Sequence, residues 1–231
     1  LSSYQKELYK AYAANKGNRQ AAEDSGLPEW YEMTERGGLR FLSGILADYL
    51  AGNVKAFYTA SSYFFYEDGV YRESEDMIAA AKVRERMVPR TVTMQAINDT
   101  VGQWKMLVRK PVSEINSNPF ILNLRNGLYH VLDDTFRAHT PDYFSTVQLK
   151  VSYAPDAQCP QFLKYLESML GMEEISLVQE IFGYLLIPVN KAQKSFVFVG
   201  APNAGKSTLL NTVQEILLGS ENVSNIPWQN L

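Results

Sequence analysis

Apolar positions along the chain change their period several times, and each change predicts an element. Leu42, Ile45, Leu46, Tyr49 and Leu50 fall on one face at helical spacing. Residues 54–72 then read as two short strands, Tyr63–Tyr66 and Val70–Arg72, joined at Glu67-Asp68-Gly69, so a hairpin is the simplest arrangement. Helical spacing returns with Ser74 as the cap of a segment that runs to Met87 and is ended by Pro89. Residues 91–109 predict another helix with Ile97, Val101, Trp104 and Val108 inward. Ile121–Leu124, Asn126-Gly127 and Leu128–Leu132 make the clearest hairpin, because Asn-Gly suits a type I′ turn.

Two amphipathic helices follow, one carrying Phe162, Tyr165, Leu166 and Met169, the other Ile175, Val178, Ile181, Phe182 and Leu185 and stopping before Pro188. They would pack beside Phe196–Val199, a run as short, aromatic and β-branched as a buried parallel strand should be. Leu209, Leu210, Val213, Leu217 and Leu218 then resume helical spacing. The pattern divides into three parts. Residues 1–38 are a polar linker or helical tail ending in an aromatic patch at Trp30 and Tyr31, residues 39–151 a domain of helices and hairpins, and residues 152–231 the start of a further domain. The expected fold class is α+β: a mostly helical amino-terminal domain with short hairpins, followed by the start of an α/β P-loop NTPase domain.

Between the expected strand and helix, Gly200, Ala201, Pro202, Asn203, Ala204, Gly205, Lys206, Ser207 and Thr208 spell G-x-x-x-x-G-K-[ST]. Gly200 and Gly205 would let backbone N–H groups approach phosphate oxygens, Lys206 would place a charge at the β- and γ-phosphates, and Ser207 would offer a hydroxyl to Mg²⁺. Thr208 is read as packing or capping locally. These nine residues are the candidate ATP-binding set. A glycine turn with a surface lysine is the plainer alternative, and the strand and helix on either side argue against it. Hydrolysis needs an acid at the end of a later strand and usually an arginine finger. After Lys206 the acids are Glu215, inside the helix, and Glu221, in a turn, and neither follows an apolar strand. The catalytic residues are therefore expected beyond Leu231, the chain is expected to be a fragment of a longer protein, and alone it should hydrolyse little ATP.

Composition narrows the setting. With 231 residues, 46% of them hydrophobic, the chain can build one large or two small cores. No apolar stretch reaches the ~18 residues that span a bilayer. The first segment, with Lys6, Glu7 and Lys10, is no signal peptide, so a soluble, cytoplasmic protein is expected. The single cysteine, Cys159, reads as a small packed thiol. A net charge of −3 argues against a generally basic nucleic-acid binder while leaving room for a local basic track. Lys82, Arg84, Arg86 and Arg90, with Arg109 and Lys110, are the candidates for such DNA contacts, although Glu85 interrupts them and a solvated helix face is the plainer account. Asp133 and Asp134 suit a turn better than a carboxylate pair, and His130 and His139 lack metal spacing. Tyr63, Phe64, Phe65 and Tyr66 fit strand packing more simply than base stacking.

Several stretches in order carry a family resemblance: Asn118-Pro-Phe-Ile-Leu-Asn-Leu-Arg-Asn-Gly127, Tyr153-Ala-Pro-Asp-Ala before Cys159-Pro160, Ile181-Phe-Gly-Tyr-Leu-Leu186, the Pro-Asn-x-Gly-Lys-Ser core at Pro202 to Ser207, and Asn222-Val-Ser-Asn-Ile226. From about Gly38 to Leu231 the chain resembles phage and plasmid primase-helicases that have a poxvirus-type amino-terminal helicase domain followed by a superfamily 3 helicase. The resemblance implies a ring-forming, usually hexameric helicase that hydrolyses ATP between subunits and moves along one DNA strand. It carries over Gly200, Gly205, Lys206 and Ser207, with Asn203 as a family-typical loop residue. The second acidic motif, sensor, arginine finger and DNA-gripping hairpin would lie beyond Leu231, and any primase site before Leu1. A P-loop ATPase of another motor or loader type, and a non-catalytic oligomerisation module, stay open as alternatives.

Overall fold

The computed structural model describes residues 27–34, 38–189, 193–224 and 226; the helical stretch expected near the amino terminus lies outside them. Packing divides the chain into two units, one running to Glu67 and resuming at Tyr71–Ile115, the other made of Asp68–Val70 and Asn116 onward. This division does not coincide with the line at residue 151 that the motifs suggest.

In the first unit, β1 (Tyr31–Met33) and β2 (Leu39–Phe41) pair antiparallel, with Tyr31 opposite Phe41. Next come α1 (Ser43–Asn53), then β3 (Ala56–Thr59), β4 (Ser62–Glu67) and β5 (Val70–Ser74), which form one sheet in that order. Then follow α2 (Asp76–Glu85), a 3₁₀ turn Pro89–Thr91, and α3 (Met94–Leu107), which packs against α1. Ile97, Val101, Trp104 and Val108 are all buried, as their spacing predicts. Alternation on β4 turns Tyr63 and Phe65 toward α3, where their rings lie 5.1 and 5.9 Å from Trp104. On the opposite face Phe64 stacks on Phe57 across the β3–β4 pair, at 4.9 Å. These aromatics are strand packing.

Several local expectations are corrected. Trp30 and Tyr31 are core residues rather than the end of a tail. Trp30 Nε1 donates to Arg86 O at 3.2 Å and its ring lies 4.7 Å from Tyr49, while Val88 N donates to Tyr31 Oη at 2.6 Å. Ile45 is 38% exposed, and Ala47 takes the inward place beside Leu46 and Leu50. Ser74 ends β5 instead of capping α2, which Glu75 precedes in extended backbone. The cap that does form is Thr93, whose side chain accepts from Ala96 N at 3.1 Å at the start of α3. The strand β3 escaped the pattern because its turn lacks the usual signal: Ala60 and Ser61 both hold positive φ, 47° and 70°, without a glycine or asparagine.

In the second unit, β6 (Ile121–Leu124), β7 (Gly127–His130) and β8 (Thr135–Arg137) form an antiparallel sheet in chain order. The predicted hairpin is present, but its turn is not type I′. Leu124 pairs with Gly127, so Arg125 and Asn126 make the loop, and neither has the positive φ that type I′ requires. Gly127 serves β8 instead, since a Cβ there would run into Arg137 O and the Phe136 ring. The turn expected after Leu132 forms, with Asp134 at φ 48° accepting from Tyr129 Oη at 2.6 Å.

Beyond the sheet come α4 (Pro160–Glu167), α5 (Met172–Leu186) and α6 (Lys206–Asn211), which continues as a wider π-helical stretch, Thr212–Leu218. Leu166, Val178 and Leu209 form one buried cluster, with Phe162, Ile175, Phe182 and Phe198 packed around it. Cys159 is exposed at the start of α4, so it is not the packed thiol expected, and Leu185 is 40% exposed. The largest correction concerns Phe196–Val199. Residues 193–200 form no strand, and Val197 and Val199 are 81% and 90% exposed. A strand is made by its partners, and every sheet among the described residues is a small one closed by other segments. The described residues are thus a mixed helical and antiparallel α+β structure, without the parallel sheet expected after residue 152.

Trp104 is fully buried between sheet and helix, so Trp104→Ala is expected to lower unfolding stability by about 3–5 kcal/mol, read from urea denaturation by circular dichroism. Tyr63 offers a pH-dependent check. Burial, helped by the charge of Asp76, raises its pKa, and its hydroxyl donates to Val101 O at 3.1 Å. The folded state therefore keeps this proton where the unfolded chain loses it, above about pH 10, and stability falls as pH rises through that range. Tyr63→Phe is expected to cost about 1 kcal/mol at neutral pH and to flatten the alkaline decline, measured by urea titrations from pH 7 to 11.

Candidate functional site

The nine residues of the G-x-x-x-x-G-K-[ST] segment form a loop that feeds α6 without a helical break at Lys206. Two left-handed residues shape it, Asn203 at φ 62° and Gly205 at φ 82°. Ala204 N donates to Ala201 O at 3.3 Å, which closes the turn, and Gly205 O accepts from Leu209 N at 3.1 Å as the first carbonyl of the helix. Lys206 folds back over the loop, and its ammonium donates to Gly200 O at 2.8 Å and Ala201 O at 2.7 Å. Ala201, Pro202, Asn203, Ala204, Ser207 and Thr208 are exposed, while Leu209 is buried and anchors the helix. Thr208 takes a local role, its carbonyl accepting from Thr212 Oγ1 at 2.9 Å.

The chemistry of this donor set suits a polyphosphate with its magnesium. A cation lies against two loop carbonyls, a helix begins at the same residue, and a serine hydroxyl follows directly. Sequence reading did not identify the residue that holds the loop from outside: Tyr165 Oη donates to Gly205 O at 2.6 Å. Its apolar spacing on α4 marked it as a packing residue, and nothing in the local pattern marks the hydroxyl.

The basic candidates are not gathered into one free surface. Lys82 lies over the Phe65 ring, its ammonium 4.9 Å from the centroid, and Arg86 donates to Lys82 O at 3.3 Å and lies 4.0 Å from Glu85. Arg84 is exposed on α2, and Arg90 is exposed in the 3₁₀ turn, beside Thr91 and Asp99 in a shallow pocket. Arg109 and Lys110 border another depression with Lys105, where Lys105 is 2.6 Å from Asp76 and Lys110 is 3.3 Å from Glu114. Lys82 and Arg86 are half-buried and held by these contacts rather than lying on a freely solvated face, and Lys105 lines the same depression as Arg109.

Of the two histidines, His139 Nε2 lies 2.8 Å from Leu124 O and 3.1 Å from Asn123 Oδ1, and its ring lies against Gly69. Among the described residues no group of His, Cys, Asp or Glu is arranged to hold a metal ion. Glu215 lies on the π-helical stretch, and Glu221 pairs with Lys150 at 2.7 Å. Among the described residues, no helix is long and apolar enough to cross a membrane.

No curated protein matches the chain. A family model described as D5 N terminal like matches residues 43–171, which takes in α1 to α4, both three-stranded sheets and Tyr165. The match ends before the glycine loop begins. It covers more than half of the residues, and the chain belongs to the D5 N-terminal-like family, the amino-terminal domain type of phage and viral primase-helicases.

Proposed function

We propose that this chain is the ATP-binding front part of a replicative DNA helicase of the phage and plasmid primase type. Residues 43–171 would serve as its collar, and Gly200, Ala201, Pro202, Asn203, Ala204, Gly205, Lys206, Ser207 and Thr208 as its phosphate loop. The observation that carries the reading is the turn at Gly205, in left-handed backbone, which directs the chain into a helix whose first residue, Lys206, already lies against the loop carbonyls. Family membership supports the replication context, since D5-type amino-terminal domains belong to primase-helicases.

In this reading Lys206 neutralises phosphate charge, the backbone N–H groups around Gly205 donate to phosphate oxygens, and Ser207 offers its hydroxyl to Mg²⁺. ATP hydrolysis, when nucleotide is bound, supplies the free energy for strand separation. A superfamily 3 ATPase domain, a hexameric ring and DNA as the partner belong to the same proposal. Glu215 and Glu221 are not assigned to catalysis, because one lies on the helical stretch after the loop and the other is tied to Lys150.

The test is titration of the chain with a fluorescent Mg·ATP analogue beside its Lys206→Ala variant. Wild type is expected to bind, and the variant to lose at least about tenfold in affinity, the scale of one charge-assisted contact to phosphate. Its far-ultraviolet circular dichroism should be unchanged, because the Lys206 side-chain bonds to Gly200 O and Ala201 O lie within its own loop. Binding that ignores the substitution would remove the loop from the proposal. Nucleotide binding without any affinity for single-stranded or forked DNA oligonucleotides would favour a motor or loader of another kind.

A further inference from the structure

The hydrogen bond between Tyr165 and Gly205 joins two parts of the chain that different observations single out. Tyr165 and Met169 fall within residues 43–171, the family match, whereas Gly205 sits in the glycine loop beyond it. All three pack in one unit. Tyr165 Oη donates to Gly205 O at 2.6 Å, and a Cβ on Gly205 would run into Met169 Sδ and Tyr165 Oη. The Tyr165 ring is itself held, stacked on Phe162 at 6.0 Å, which in turn stacks on Phe182 of α5 at 6.2 Å. A hydroxyl on a fixed ring therefore reaches the one carbonyl in the loop that begins the helix.

That carbonyl has two acceptor positions, and both are used, one by Leu209 N at 3.1 Å and one by Tyr165. The Gly205–Lys206 peptide is planar and trans, so its carbonyl oxygen and the Lys206 N–H lie on opposite edges of one rigid unit. Fixing the oxygen toward α4 therefore fixes the Lys206 N–H on the opposite edge, away from α4. Without the Tyr165 bond, Leu209 N is left to hold the oxygen, and a left-handed glycine, having no Cβ, lets the peptide tilt about that single bond.

We infer that Tyr165 is a positioning residue: through the Gly205 carbonyl it sets the direction of the Lys206 amide that receives a nucleotide phosphate. The inference rests on the nucleotide-binding reading above. It makes the D5 N-terminal-like part of the chain a contributor to the phosphate site, so that displacement of α4 would be felt at the loop through one hydrogen bond.

The experiment uses the full chain with Tyr165→Phe, which keeps the ring and removes only the hydroxyl, beside wild type and Lys206→Ala. Affinity for the fluorescent Mg·ATP analogue is expected to fall about fivefold to tenfold in Tyr165→Phe, the effect of one mispositioned phosphate hydrogen bond. A second readout separates positioning from general support. In wild type, ¹⁵N-resolved spectra with Mg·ADP are expected to show the Lys206 amide proton moving downfield as it bonds phosphate, and in Tyr165→Phe this movement is lost. If wild type binds, Lys206→Ala does not, and Tyr165→Phe behaves as wild type in both readouts, the inference alone is overturned. If wild type binds no nucleotide, the phosphate-loop reading fails and the inference falls with it. A Tyr165→Phe chain that no longer folds would make the hydroxyl a structural group and would equally overturn the assignment.

Discussion

Main-chain groups need partners, and sheets of two or three short strands supply few, so most of their length is edge. In the second unit asparagine side chains make up the shortfall. Asn126 binds the Tyr153 main chain twice, donating to its carbonyl and accepting from its amide, both at 2.9 Å. Asn116 accepts from Thr146 N and donates to Thr146 Oγ1, Asn222 donates to Gln148 O and Leu218 O, and buried Asn123 donates to Gly69 O. An amide side chain presents one donor and one acceptor at the spacing of a peptide, so each can stand in for a neighbouring strand. Residues 147–153 are thereby fastened along β6 without becoming a strand, with Leu149 N on Asn123 O and Arg125 N on Val151 O closing the remaining gaps. Leu122, Leu124 and Leu149 are buried together as a result.

The first unit solves its packing by a different route. Its interior is aromatic, and large rings at alternate positions of β4 fill the space against α3 with little help from polar groups. Tyr31 shows how a polar tip is kept inside such a core: its oxygen accepts from Val88 N and lies 2.8 Å from Thr91 Oγ1. Burial still outweighs these bonds and raises the Tyr31 pKa, so the group stays neutral. Trp30 likewise spends its indole N–H on the Arg86 carbonyl, where α2 ends. A hairpin that reads as the end of a tail thus becomes the cover over the junction between α2 and the 3₁₀ turn.

This contrast explains what could be read in advance. Long amphipathic segments were legible because periodicity and burial share one cause: α3 buried all four residues its spacing named, and α4 and α5 stand where their stripes lie. Elements that depend on partners distant in sequence were not. The strand β3 has four residues and a turn without glycine, and Asn126 serves Tyr153, 27 residues away, rather than the turn its Asn-Gly pair advertised. Phe196–Val199 shows the same rule from the other side: its residues have every propensity for a strand, and propensity without a pairing neighbour among the described residues leaves Phe196, Val197 and Val199 exposed. The loop composition was legible because each of its residue types has a local reason. Tyr165 was not, since a hydroxyl aimed at a carbonyl forty residues on leaves no periodic trace.

The position of Lys206 bears on how a phosphate would enter on the proposed reading. Its ammonium donates to two loop carbonyls, at 2.8 and 2.7 Å, so the loop is held closed by the group that would receive the nucleotide. Those carbonyls are neutral acceptors, whereas phosphate oxygens carry negative charge and add a direct Coulomb attraction to the ammonium. Exchange of carbonyl for phosphate therefore runs downhill once the oxygens are within reach, and the lysine needs only to rotate its flexible stem. The backbone cannot adapt so cheaply, because the direction of a peptide N–H is a property of the whole plane. On the proposed reading a mobile charge on Lys206 and a fixed amide on the same residue would divide the work, and the fixed half is the one whose peptide carbonyl Tyr165 holds from another helix.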